Sequence, residues 1–340
     1  MTVKVGVVGA GMIGADHVRR LTSVVNGAEV TAVTDIDTDR AAEVAASAGA
    51  RVAPSGREVI GAADVDAVLV ASWGPAHAES VLAAIDAGTP VFCEKPLATT
   101  IEDCVRIVDA ETRHGRRLVQ VGFMRRYDAG YRAMRRAVAA GEIGTPLMAH
   151  CAHRNPTVPE SYHSEMATHD TAIHEIDAVR WLLDDEIASA RVLRPRRTTR
   201  RFDHLQDPQV MLFEMLSGAR VDVEVFVNCQ YGYDIRCEVV GETGTVQLAD
   251  PEQPLVRSQG RAHTLVPQHW KDRFGAAYDL EIQEWVDSVA AGRAAGPSAW
   301  DGYAAAMIGD ATVRALHSGD LVGAGVGDRP DLYERAADET

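Results

Sequence analysis

Short, nearly continuous apolar runs alternate with longer Ala-rich stretches through residues 3–122. The runs fall at 3–8, 29–34, 67–72, 90–93 and 118–122, and helix-like stretches lie near 12–25, 39–48, 75–87 and 100–114. Unbroken apolar strands spaced by helices predict a parallel sheet covered on both faces. Its connections are then right-handed crossovers.

The pattern changes after a helix-like stretch near 128–140 and a Gly- and Pro-containing turn at 141–146. A strand is expected at 147–153 and a helix at 169–183, where Ile173, Ile176, Val179, Trp181, Leu182 and Leu183 supply an apolar face. Alternating runs at 210–216, 219–228, 233–241 and 245–248 read as antiparallel strands joined at turns such as Ser217-Gly218 and Glu242-Thr243-Gly244. Helices are expected again at 276–291 and 300–317, followed by a polar, peripheral tail from Asp328. The expected division is therefore an α/β first domain at 1–122 and an α+β second domain at 123–340 with a large, mainly antiparallel sheet. A late helix packing back on the first domain is compatible with that division.

The 340-residue chain is long enough for two domains with a sizeable core, and its 46% hydrophobic and 24% charged residues suit a globular protein. A net charge of −15 disfavours nucleic acid and anionic membranes as partners. There is no membrane-length apolar run and no secretory leader pattern, so a cytoplasmic location is the expectation. The scattered cysteines Cys93, Cys104, Cys151, Cys229 and Cys237 are expected to be reduced and mostly buried.

Candidate chemistry begins where the first apolar run ends. Gly9-Ala10-Gly11-Met12-Ile13-Gly14 places glycines at the positions of a phosphate-cradling turn between strand and helix. Gly9 permits a tight turn, Gly11 lets backbone approach a pyrophosphate, and Gly14 lets helix and sheet come close. Asp35 ends the second run, 21 residues after Gly14. A carboxylate there accepts hydrogen bonds from ribose hydroxyls and repels a 2′-phosphate, which favours NAD over NADP. The first domain is thus expected to be a dinucleotide-binding Rossmann domain, with Met12 and Ile13 at its cofactor turn. Ser72, Trp73, Pro75 and His77 end a central strand and open a helix, where an open sheet binds ligands, and are expected to border the nicotinamide half.

Glu94-Lys95-Pro96 ends a later apolar run, and Asp170 and His174 lie four apart on a helix. Oxidising an alcohol without a metal needs a hydride acceptor, a base matched to neutral pH and a donor for the reacting oxygen. Imidazole suits the base, a neighbouring carboxylate can orient it, and a lysine ammonium can serve the oxygen. Each residue also has a plain structural reading: a helix cap, a core histidine, a solvated lysine. Their occurrence together with a nicotinamide site favours the chemical one. His150, His153, His163, His169 and His174 raise the alternative of zinc, but they lack a standard ligand spacing, and no metal is expected.

Gly9-Ala10-Gly11-Met12-Ile13-Gly14, Cys93-Glu94-Lys95-Pro96-Leu97-Ala98 and Asp170-Thr171-Ala172-Ile173-His174 resemble the glucose–fructose oxidoreductase / inositol dehydrogenase / rhizopine catabolism family. The resemblance covers nearly the whole chain. Val121-Gly122-Phe123-Met124-Arg125-Arg126-Tyr127-Asp128, Tyr231-Gly232-Tyr233-Asp234 and Ala277-Tyr278-Asp279 resemble its inositol-dehydrogenase branch. The resemblance implies a catalytic trio of Lys95, Asp170 and His174, with Glu94 and Lys95 beside the cofactor. It further implies polyol contacts from Arg125, His153, Asn155, Thr171, Tyr233 and Tyr278. It implies NAD-dependent oxidation of myo-inositol to the 2-keto inositol, and a homotetramer built through the second-domain sheet. A neutral polyol fits these side chains, because its hydroxyls need many directional partners. Another inositol isomer or a pyranose sugar remains an alternative, as does a non-catalytic dinucleotide-binding regulator.

Overall fold

The computed structural model describes residues 2–250 and 253–334. It divides into two compact units, one of Met1–Met124, Ala276–Ala306 and the segment from Gly327, the other of Arg125–Gly275 and Met307–Val326. A single cut at 122/123 does not describe this partition, because late segments return to the first unit.

The first unit runs β1 (Val3–Val8), α1 (Met12–Ser23), β2 (Ala28–Thr34), α2 (Thr38–Ala48), β3 (Arg51–Val52), α3 (Gly56–Ile60), β4 (Ala67–Val70), α4 (His77–Asp86), β5 (Val91–Glu94), α5 (Ile101–His114) and β6 (Val119–Gly122). All six strands are parallel, in the order β3-β2-β1-β4-β5-β6. Strand order reverses at β1 and β4, so a crevice opens beyond their C-terminal ends. β4, β5 and β6 are buried at every position, as the unbroken apolar runs require. The helix boundaries have local causes. The Asp37 and Thr100 side chains accept backbone N–H bonds at the starts of α2 and α5, and left-handed Gly49 and Gly115 end those helices. The brief β3 and α3 escape periodicity analysis because each is too short to show a period.

The second unit begins with α6 (Ala129–Ala139), β7 (Pro146–Arg154) and a π-helical turn over Ala167–Ala172 that runs into α7 (Ile173–Leu183). It continues with β8 (Ile187–Leu193), β9 (Gln209–Met215), β10 (Arg220–Phe226), β11 (Asp234–Gly241) and β12 (Thr245–Gln247). The exposed hairpin of β13 (Val256–Ser258) and β14 (Arg261–His263) follows. Two long helices, α8 (Trp270–Ala290) and α9 (Ala299–Ser318), and the short β15 (Val322–Gly323) complete the chain's order, residues 276–306 belonging to the first unit. The sheet order is β12-β11-β7-β10-β9-β8-β15. It is mixed and mostly antiparallel, with β7 and β10 parallel at its centre. Strand β8, absent from the sequence reading, follows α7 directly after left-handed Asp184. Side-chain burial alternates along β9 and β10, so the sheet has one buried face and one half-exposed face.

Helix α8 explains part of the late return to the first unit. Ile282, Trp285 and Val286 are buried in the core cluster that includes Val5, Val7, Leu69 and Phe92. Arg20 on α1 reaches Asp279 on α8 at 2.8 Å. The final six residues of the polar tail lie outside the described residues. Within the described part, Tyr333 is buried and donates to Glu111 at 2.7 Å.

Candidate active site

In the first unit, a cavity of about 780 Å³ is lined by Gly9, Gly11, Asp35, Ile36, Arg40, Ser55, Ser72, Trp73 and Glu79, among others. That volume is in the range of small-molecule and cofactor pockets. Gly9 has φ +102°, and a Cβ there would run into the backbone of Ala71 and Ser72. A Cβ at Gly14 would strike the carbonyl oxygen of Gly9, so that position holds helix and turn together. A Cβ at Gly11 would meet nothing, leaving open space above the turn for a ligand. The carboxylate of Asp35 accepts from Ala10 N at 2.6 Å and from Asp37 N at 2.8 Å. It is thereby fixed at the cavity wall. Trp73 is 81% exposed and Ile36 fully exposed, which leaves apolar surface for a planar ligand to cover. These features fit a dinucleotide.

The other residues expected near the cofactor take different places. Met12 is mostly exposed at the start of α1, and Ile13 packs against the core cluster. Pro75 sits in the short turn Gly74–Ala76. His77 does not line the cavity. It is buried, with Nδ1 2.7 Å from the Pro96 carbonyl and Nε2 2.9 Å from the Ser72 carbonyl. It therefore bridges the loops after β4 and β5. Glu94 also turns inward, accepting from His17 at 2.8 Å and from Lys95 N at 3.1 Å. Burial pushes the Glu94 carboxyl up, but the His17 contact and the Lys95 charge outweigh it and leave the group below the usual range. Both side chains are polar and almost sealed from water, so they must find partners inside the protein. Lys95 is half-buried beside them. Tyr278 belongs to this unit, its ring 5.0 Å below the Arg20 guanidinium and 6.0 Å from His17.

In the second unit, His174 lies in the first turn of α7 and is buried, whereas Asp170 is exposed in the preceding π turn. The plain α-helix expected from 169 is thus replaced at its start by a wider turn, a form common at functional sites. Thr171 is buried, with its hydroxyl 2.7 Å from that of Tyr162. His153, at the end of β7, has its ring 6.4 Å from that of His174 and 5.6 Å from that of Tyr233. Asn155 follows on the chain and exchanges backbone bonds with Phe226 and Cys229, both 3.0 Å. The structure thus gathers Arg125, His153 and Tyr233, with His174 near His153.

Arg125 is fully buried and forms an ion pair with Glu175, while its Nη1 reaches Tyr131 at 3.3 Å. Sequence reasoning missed Glu175, although it directly follows His174. Burial pushes its carboxyl up, yet Arg125 and His153 more than reverse this and hold it down at about 2. Burial raises the Tyr233 hydroxyl to about 12, so it acts as a neutral donor or acceptor. Next to this cluster, Arg126 and Asp177 form a two-pronged pair at 2.9 and 2.5 Å. Among the described residues, no group of His, Cys, Asp and Glu side chains is arranged to hold a metal ion. All five cysteines are free.

Two family models match the chain. The model of the oxidoreductase family's NAD-binding Rossmann fold matches residues 3–123, and that of its C-terminal alpha/beta domain matches residues 135–323. The chain belongs to this oxidoreductase family. Among family members, inositol 2-dehydrogenase 3 of Saccharopolyspora erythraea is 70% identical over 333 residues, covering 98% of each chain. Inositol 2-dehydrogenase of Serratia proteamaculans is 55% identical over 337 residues, covering 98% of this chain and 100% of the relative. The crystal structure of Lactobacillus casei myo-inositol dehydrogenase in complex with NAD(H) and myo-inositol matches with a TM-score of 0.96 at 44% identity. That match covers 98% of this chain and 100% of the other. The chain is therefore an NAD-dependent oxidoreductase of this family, with the dinucleotide fold in its first unit.

Proposed function

We propose that this protein oxidises myo-inositol to 2-keto-myo-inositol with NAD as hydride acceptor. The observation that carries the reading is the 70% identity, across 98% of both chains, with an inositol 2-dehydrogenase. The cavity bordered by Gly9, Gly11 and Asp35 would hold NAD, which supplies the acceptor for the hydride leaving the ring carbon.

The chain's own residues supply the proton chemistry. His174 takes the hydroxyl proton as general base. Asp170 supports the imidazolium so formed and grips a neighbouring hydroxyl. The Lys95 ammonium donates to the reacting oxygen and stabilises its developing negative charge. Arg125, His153, Asn155, Thr171, Tyr233 and Tyr278 serve the remaining hydroxyls. The protein works in the cytoplasm as a homotetramer. Val210, Leu212 and Phe226 on the half-exposed sheet face support that assembly, because they mix apolar area with the charges of Asp222 and Glu224. No described helix is long and apolar enough to cross a membrane.

Mixing the purified protein with NAD and myo-inositol and following NADH absorbance tests the reading. NADH appearing with myo-inositol is expected. Faster turnover with scyllo-inositol, chiro-inositol or glucose would move the assignment to that polyol. NAD binding without NADH from any of them would make the protein a dinucleotide-binding regulator.

A further inference from the structure

The buried carboxylate of Glu175 has two neighbours of opposite chemistry around one atom. His153 Nδ1 lies 3.1 Å from Glu175 Oε2 and 3.1 Å from Arg125 Nη2. A carboxylate only accepts hydrogen bonds, and a guanidinium only donates them. Neutral imidazole carries one ring proton, so Nδ1 can satisfy only one of the two. If Nδ1 carries the proton, it donates to Glu175 and Nε2 becomes the acceptor. If Nδ1 is bare, it accepts from Arg125 and Nε2 becomes the donor.

The surroundings decide between them. Arg125 has other acceptors, namely Glu175 Oε1, the Tyr131 hydroxyl at 3.3 Å and the Tyr233 hydroxyl. A bare Nδ1 would set its lone pair against an anionic oxygen in a site where Arg125, His153 and Glu175 are each at most 3% exposed. At low local dielectric that repulsion is costly. A proton on Nδ1 instead makes a charge-assisted bond.

We propose that Glu175 is a positioning residue that holds His153 in its Nδ1–H tautomer and thereby presents Nε2 as an acceptor for a polyol hydroxyl. Arg125 keeps the carboxylate charged in its dry setting. The arrangement calls for a donor: a hydroxyl can donate to Nε2, whereas a deprotonated carboxylate or phosphate oxygen cannot. The hydroxyl assignment rests on the polyol reading above. The tautomer does not.

The first test reads the tautomer without any substrate. Protein labelled with ¹⁵N in its histidines is measured by NMR at a pH where imidazole is neutral, and His153→Gln identifies the His153 signals. The expected pattern is Nδ1–H with a bare Nε2. In Glu175→Gln the pattern reverses to Nε2–H, because Arg125 now captures Nδ1. An Nε2–H or doubly protonated ring in the unmodified protein overturns the proposal, as does a pattern that Glu175→Gln leaves unchanged. Should Glu175→Gln not fold, Glu175→Asp keeps the charge but withdraws the oxygen by one methylene, and the same loss of Nδ1–H is expected.

The second test reads the consequence. In Glu175→Asp or Glu175→Gln, KM for myo-inositol rises about tenfold or more, whereas KM for NAD stays within about twofold. On a His153→Gln background the Glu175 change adds little, since the two residues act as one unit. Equal effects on both substrates, or fully additive effects, overturn the positioning role. An unmodified protein that shows the Nδ1–H tautomer but oxidises no polyol refutes the proposed function and leaves the positioning of His153 standing.

Discussion

At the turn beside Asp35 the walls are glycine backbone and one carboxylate gripped by two N–H groups. Around Glu175 they are side chains, drawn from the turn after β6, from β7, from α7 and from the loop before β11. That turn therefore admits no added atoms at Gly9 or Gly14. The polar cluster tolerates neither a lost charge nor a lost donor, because each buried group depends on its neighbour. One region is shaped by what glycine leaves out, the other by what charged side chains supply to each other.

Substitutions can break this contrast, and the largest expected effect lies in the second unit. His174→Ala lowers turnover with myo-inositol by about 10²–10⁴-fold while KM for NAD is unaffected. Steady-state NADH production reads both, and unchanged turnover would remove His174 as the base. Asp177→Ala removes the two-pronged carboxylate that faces the largely buried Arg126 guanidinium and costs about 3–5 kcal/mol of stability, read from the urea midpoint. A loss below about 1 kcal/mol would mean that water reaches the guanidinium.

Smaller effects are expected in the first unit. Gly9→Ala forces a side chain into left-handed backbone against Ala71 and Ser72, with strain of about 1–3 kcal/mol. NAD binding weakens and turnover at saturating NAD changes little, which separates the two regions directly. Asp35→Asn removes a negative charge from the cavity wall, where it would repel a 2′-phosphate. The ratio of kcat/KM for NAD to that for NADP falls by about tenfold.

The last effect is a slope with pH. Glu175 titrates near 2 in the folded protein against an ordinary value of 4.5. A depressed carboxyl adds stability that is complete above the unfolded value and is lost as pH falls through the folded one. The stability difference between the unmodified protein and Glu175→Gln should therefore shrink as pH drops from about 4.5 towards 2. Urea midpoints at stepped pH measure it, and a difference independent of pH would show that the carboxyl is not depressed.

The glycine turn after β1, the alternation of strands and helices in the first unit apart from β3 and α3, and the family were legible in the chain itself. Their signals are local: glycines within six residues, apolar runs of strand length and an acidic residue just past the second strand. Periodicity could not show that α8 would bury Ile282, Trp285 and Val286 in the first unit's core, or that β7 and β10 would pair in parallel. Nor could a motif mark His77 and Glu94 as inward-facing, or Glu175 as the carboxylate between Arg125 and His153. Hydrogen-bond partners of buried polar groups are chosen by whichever side chains arrive in the same dry space, and residues 125, 153 and 175 meet only once the chain has folded. Sequence thus determined which chemical groups this protein carries, and tertiary structure decided which of them share a proton.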